Sequence, residues 1–206
     1  MPSATFLNLP EEKQEKLLEA ATREFSRRSF NDASINQIIK DAGIPRGSFY
    51  MYFEDKMDLF RYLMQGYVDQ ILSILEELLI REQGNMFQAL LDLFDYVQRR
   101  RGEDRLGEAG AMMSILGRNA GMQRSAILEM ISPGEIMERL GRLVNTDQLQ
   151  LEREQDLRDI LAILLVVGGP IIYNGALCQD ASGSRAHFCN ILNILRRGME
   201  KTPAVC

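Results

Sequence analysis

The chain has 206 residues, of which 46% are hydrophobic and 26% charged, with 16 glycines and 6 prolines. That is ordinary globular composition for one domain or two small ones, and it excludes low-complexity disorder and collagen-like fibre. Lys+Arg 24 against Asp+Glu 29 leaves a net charge of −5, so the chain is not a polycation that coats nucleic acid. Any nucleic-acid site must be a local face. The cysteines, Cys178, Cys189 and Cys206, are odd in number, make no disulfide framework and suit a reducing cytosol. His187 has no partner at metal-ligand spacing, so no zinc site and no metal or other cofactor is expected. The chain opens without a basic segment leading into an apolar run, so no signal peptide is expected.

Helix signals follow in chain order. Asn8-x-x-Glu11 reads as a capping box, opening a helix with Leu17, Leu18, Ala21 and Phe25 on one stripe to about Arg28. Phe30, Asn31 and Asp32 make a turn. Ser34-x-x-Gln37 is a second capping box, and Ile35, Ile38, Ile39 and Ala42 give a short amphipathic helix that Gly43 ends. Pro45 sits at or next to the start of another short helix, with Phe49 and Phe53 facing inward. Asp55 caps a long helix to about Arg81, with Asp58 in its first turn. After Gly84, helices are predicted near 85–100, 104–118 and 122–131. Ser132-Pro133-Gly134-Glu135 opens another, and Asn145 to Gln150 is a polar stretch. The last two helices lie near 153–179 and 184–200, with a turn at Asp180 to Ser184.

Ile160 to Gln179 spans 20 residues without formal charge, the minimum length for a membrane helix. Gly168, Gly169, Pro170 and Asn174 weaken it, so a helix buried on nearly all sides is expected, kinked at Pro170. No strand-type alternation persists. The chain reads as all-α, with about nine helices and a small N-terminal unit of three.

Two short helices joined by Gly43-Ile44-Pro45 have the dimensions of a helix-turn-helix. Its second helix enters a groove about 12 Å wide, and so needs an apolar inner face and a polar outer one. Pro45 to Phe53 satisfies this: Phe49 and Phe53 point in, while Arg46, Ser48, Tyr50, Met51 and Tyr52 can point out. Lys56 follows at the start of the next helix. Each residue alone has a plainer reading, with Arg46 and Lys56 as solvated surface, Tyr50 and Tyr52 as packing, and Ser34 as a helix cap only. Residues 1–60 carry 8 basic against 10 acidic side chains, so a DNA reader here relies on layout, not net charge.

Phe25, Ser34-Ile-Asn-Gln-Ile38-Ile39, Gly43-Ile44-Pro45-Arg46-Gly47-Ser48-Phe49-Tyr50-x-Tyr52-Phe53 and Lys56-x-x-Leu59-Phe60 together form a specific pattern. The stretch resembles the DNA-binding domain of the tetracycline-repressor (TetR) family over roughly residues 10–60. The resemblance implies a helix-turn-helix domain at 1–55 and a helical effector-binding and dimerisation domain at 56–206. It also implies a cytoplasmic regulator, usually a repressor, that binds double-stranded operator DNA as a homodimer through the last two helices. A small-molecule effector releases the DNA. Carried over by position, Ser34 caps its helix and meets a phosphate. Asn36, Arg46, Gly47, Ser48 and Met51 face bases or the groove wall, and Tyr50, Tyr52 and Lys56 hold phosphates. Arg46 is the best base reader, because its fork matches guanine O6 and N7.

Methionine is concentrated between Met64 and Met137 and adapts to irregular apolar ligands, though core filling is the plainer reading. The candidate ligand-binding residues are Met64, Tyr67, Phe87, Leu91, Phe94, Met112, Met113, Leu116, Met137 and Tyr173, each on the apolar stripe of a predicted helix or within one apolar all round, and the scarcity of uncharged polar side chains there favours an apolar ligand. No nucleophile motif, P-loop or dinucleotide fingerprint appears, so no enzyme and no catalytic residue is expected. Two alternatives stay open: an α-helical carrier or enzyme with a vestigial helix-turn-helix, and a regulator whose effector is a protein.

Overall fold

The structure, a computed structural model, describes residues 2–102, 115, 118–119, 133–177 and 180–201. Apart from Ile115, Arg118 and Asn119, the helices expected near 104–118 and 122–131 lie outside the described residues, as do Met112, Met113, Leu116, the Ser132 cap, Cys178 and Cys206. Nine helices are described: α1 Ala4–Leu7, α2 Glu11–Arg27, α3 Ile35–Ala42, α4 Arg46–Tyr52, α5 Lys56–Arg81, α6 Met86–Gly102, α7 Pro133–Gly141, α8 Asp156–Leu177 and α9 Ala181–Met199. The only extended pairing among the described residues is an antiparallel bridge between Leu149 and Glu200. Among those residues, no helix is long and apolar enough to cross a membrane. The all-α class holds.

Residues 2–70, with Ile115, Arg118 and Asn119, belong to one compact unit; residues 71–102, 133–177 and 180–201 belong to a second. The first unit has an aromatic core. Phe6, Phe25, Phe49, Phe53 and Phe60 are all essentially without solvent exposure, joined by Leu17, Ile38 and Leu59. Phe60 meets Phe25 edge-on at 5.1 Å and Phe30 at 5.2 Å, geometries that the ring quadrupole favours. In the second unit α6, α8 and α9 pack on one another, with α7 against α8. A methyl group at Gly175 would overlap the Phe94 ring, so α8 and α6 approach closely because that residue has no side chain. Arg185 clasps Asp95 with two bonds of 2.7 and 2.9 Å, tying α9 to α6.

Local chemistry moves several boundaries from their expected places. The Asn8-x-x-Glu11 box is not formed. Asn8 instead closes the unexpected helix α1, its amide donating to the Ala4 carbonyl, and α2 starts after Pro10 without a side-chain cap. Glu11 and Glu12 occupy its first turn, where the helix dipole favours anions. Helix α9 starts three residues earlier than expected, because the Asp180 carboxylate accepts the Gly183 amide at 2.9 Å. Helix α8 continues through Pro170.

Candidate nucleic-acid interface

The geometry of α3 and α4 is set at their ends. Ser34 stands at the N-cap of α3, and its hydroxyl accepts the Gln37 amide at 3.4 Å. The reciprocal half of the expected box is supplied from elsewhere. The Gln37 side chain donates to Asp41, and the Ser34 amide donates to the carboxylate of Glu24 at 2.9 Å. Glu24 is buried on the inner stripe of α2, with Arg28 at 3.6 Å. At the other end Gly43 has φ +67°, and the Ile44 amide donates back to Ile39 at 3.1 Å, so the chain reverses sharply into Pro45.

This turn gives α4 two distinct faces. Phe49 and Phe53 are buried, whereas Asn36, Arg46, Gly47, Tyr50 and Met51 are exposed, Met51 by 60%. Ser34, Ser48, Tyr52 and Lys56 are half-buried at the edge of the same unit. Lys56 is already engaged: its ammonium donates to the carbonyls of Ala33 at 2.9 Å and Asn31 at 3.2 Å and sits 4.8 Å from the Phe30 ring centre. Two of its three donors therefore hold the turn that presents Ser34.

Residues 17–63, which span this constellation, match the family model described as bacterial regulatory proteins, tetR family. Over this stretch the chain is similar to the TetR family. It is similar to the uncharacterized HTH-type transcriptional regulator YdgC of Bacillus subtilis, 39% identical over 74 residues, which is 36% of this chain and 38% of that one. It is also similar to the HTH-type transcriptional repressor BepR of Brucella suis, 38% identical over 53 residues, or 26% of this chain and 25% of that one. The chain thus matches well under half the length of these curated relatives. Among solved structures, Salmonella enterica GusR aligns with a TM-score of 0.66 at 16% identity, covering 93% of this chain and 98% of that one. SmeT, the repressor of the Stenotrophomonas maltophilia multidrug efflux pump SmeDEF, aligns with a TM-score of 0.61 at 18% identity, covering 95% and 96%. At such identities these two show a shared fold.

The candidate ligand residues fall in different places. Met64 and Tyr67 are buried in the core of the first unit, where the Tyr67 hydroxyl lies 3.0 Å from the Thr22 hydroxyl. Phe87, Leu91, Phe94, Met137 and Tyr173 belong to the second unit. There Phe94 packs on Phe188 at 5.7 Å, the Arg196 guanidinium lies 5.0 Å from the Phe87 ring centre, and burial pushes the Tyr173 phenol above its ordinary pKa. A cavity of about 10 Å³ in this unit is lined by Phe87, Val144, Leu149, Ile160 and Leu164, among others, and has room for one water.

Three structural supports of this face escaped the sequence reading. Glu24 had a signal: it falls on the inward register of α2 beside Ala20, Ala21 and Phe25, where a carboxylate needs a partner. Asn119 had none. Its buried amide accepts the Phe30 amide at 2.7 Å and donates to the Ile115 carbonyl at 2.7 Å, across 89 positions of sequence in the first case. Arg118 beside it donates to the Ser26 carbonyl at 2.6 Å. The third support is the segment before α2.

Proposed function

We propose that the chain is a one-component transcriptional regulator that represses by binding a palindromic operator as a homodimer and lets go when a small, largely apolar ligand binds. The observation that carries this is α4, with Arg46, Tyr50 and Met51 projecting from a helix whose inner face is locked on an aromatic core. Arg46 reads a guanine edge and Met51 packs on the groove wall, while Ser34, Tyr50 and Tyr52 hold phosphates. Asn36, Gly47 and Ser48 line the groove. Lys56 keeps one donor for a phosphate while it fixes the turn before Ser34. Ile163, Val166 and Ile194, exposed by 43%, 67% and 56% on α8 and α9, support a dimer through these helices. The ligand acts only through its different affinities for the DNA-competent and incompetent conformations. Such a protein works in the cytoplasm, beside the DNA.

The test is selection of random duplexes by the purified full chain, followed by sequencing. The expected result is an inverted repeat with half-site centres roughly 34–36 Å apart or a multiple of that. Recovery of no common sequence overturns the proposal.

A further inference from the structure

Helix α4 has seven residues, and the last carbonyls of so short a helix have no partner within it. Two of them are met from the far end of the unit's sequence. The Ser3 hydroxyl donates to the Met51 carbonyl at 2.6 Å, and the Ser3 amide donates to the Tyr52 carbonyl at 2.9 Å. Ser3 is also the N-cap of α1, its hydroxyl accepting the Phe6 amide at 3.3 Å. One turn later Phe6 is fully buried, 4.8 Å from the Phe53 ring, 5.5 Å from Tyr62 and 6.1 Å from Tyr52. The Gln14 side chain closes the corner behind α1 by donating to the Leu9 carbonyl at 3.0 Å. All of α1 lies before residue 17, where the family match begins.

We propose that α1 is a brace for the recognition helix and that Ser3 is a positioning residue for operator reading. This rests on the DNA-binding function proposed above. A two-turn helix is too short to hold its own end, and exposed Met51 and half-buried Tyr52 are the very residues that fray if it opens. Base-edge hydrogen bonds tolerate little displacement, whereas attraction to phosphates is long-ranged and tolerant. Loss of the brace therefore lowers discrimination between operator and unrelated DNA more than it lowers non-specific affinity, to which Tyr52 adds one phosphate contact among several.

The experiment compares the wild-type full chain with Ser3→Ala, Ser3→Thr and Ser3→Pro on the selected operator and on an unrelated duplex of equal length, at two salt concentrations. Ser3 has φ −71°, so proline fits the backbone while removing both donors. Ser3→Pro is expected to weaken operator binding about tenfold and to change unrelated-duplex binding less than about twofold. Ser3→Ala falls between, and Ser3→Thr restores wild-type discrimination. If Ser3→Pro fails to fold by circular dichroism, Ser3→Ala against Ser3→Thr decides. Equal loss on both duplexes, or no loss on either, overturns the brace. A wild-type chain that selects no DNA overturns the regulator reading instead.

Discussion

Arg46 and Glu24 represent two kinds of residue in the first unit. Arg46 is exposed at the first position of α4 and makes no contribution to the core. Arg46→Ala should cost about 1–3 kcal/mol of operator affinity and relax preference at one base pair. Equal weakening on every sequence would make it a phosphate contact. Glu24 works from behind the surface. Glu24→Ala leaves the half-buried Ser34 amide without its acceptor, a loss at or below the low end of the roughly 1–3 kcal/mol that a fully buried unpaired donor costs. Thermal unfolding of the purified variant should show that loss, and an unchanged melting temperature would deny Glu24 its structural role. The residues that project outward were legible in the sequence because a specific motif spans them. The residues that hold them, Ser3 and Asn119, were not, since their partners are 48 and 89 positions away and no local period connects such pairs.

At the scale of elements, ends decided what periodicity could not. The stripes of α2, α3 and α5 were legible, as were Gly43 at the end of α3 and the Asp55 cap, whose carboxylate accepts the Asp58 amide at 2.8 Å. Asn8 misled because α1, a four-residue helix, is too short to have a period of its own. Helix α9 has a pH-sensitive start. The Gly183 amide and the Ser182 hydroxyl hold the Asp180 carboxylate below its ordinary pKa. The stabilisation is complete above the ordinary carboxylate pKa of about 3.9 and disappears as pH falls through the lowered value. The protection of the Gly183 amide, its exchange rate relative to that of an unstructured peptide at the same pH, should therefore hold at pH 5 and fall on acidification below about 4. Protection that does not change with pH would mean the cap contributes nothing.

For the whole molecule, dimer formation is the property most exposed to test. Val166 is 67% exposed in a helix otherwise rich in buried aliphatic residues. Val166→Lys should give a monomer at micromolar concentration in sedimentation and should lose operator binding with it. Burying an unpaired ammonium is costly, and a palindrome needs two copies. A variant that remains dimeric would place the interface elsewhere. The end of α9 is secured by its own chain: the Gln150 amide donates to the Met199 carbonyl and the Lys201 amide to the Gln148 carbonyl, each at 2.8 Å. No alternating pattern announced that pairing, because a single bridge needs only one residue on each side.

Gly47 follows Arg46 on the outer side of α4, exposed, with nothing within 4 Å of where a side chain would begin. In the isolated protein the position is therefore permissive, and alanine there should raise stability by about 0.5–1 kcal/mol, since glycine carries an entropic penalty in a helix. If that empty space is the volume into which the duplex fits, the same methyl group should weaken operator binding. Folding and recognition then pull position 47 in opposite directions. Lineages screened only for a robust fold would drift away from glycine, and lineages kept for regulation would hold it. A library of all substitutions at position 47, sorted once for thermal resistance and once for operator binding, should return two populations with little overlap. If the same residues win both sorts, the position carries no such conflict.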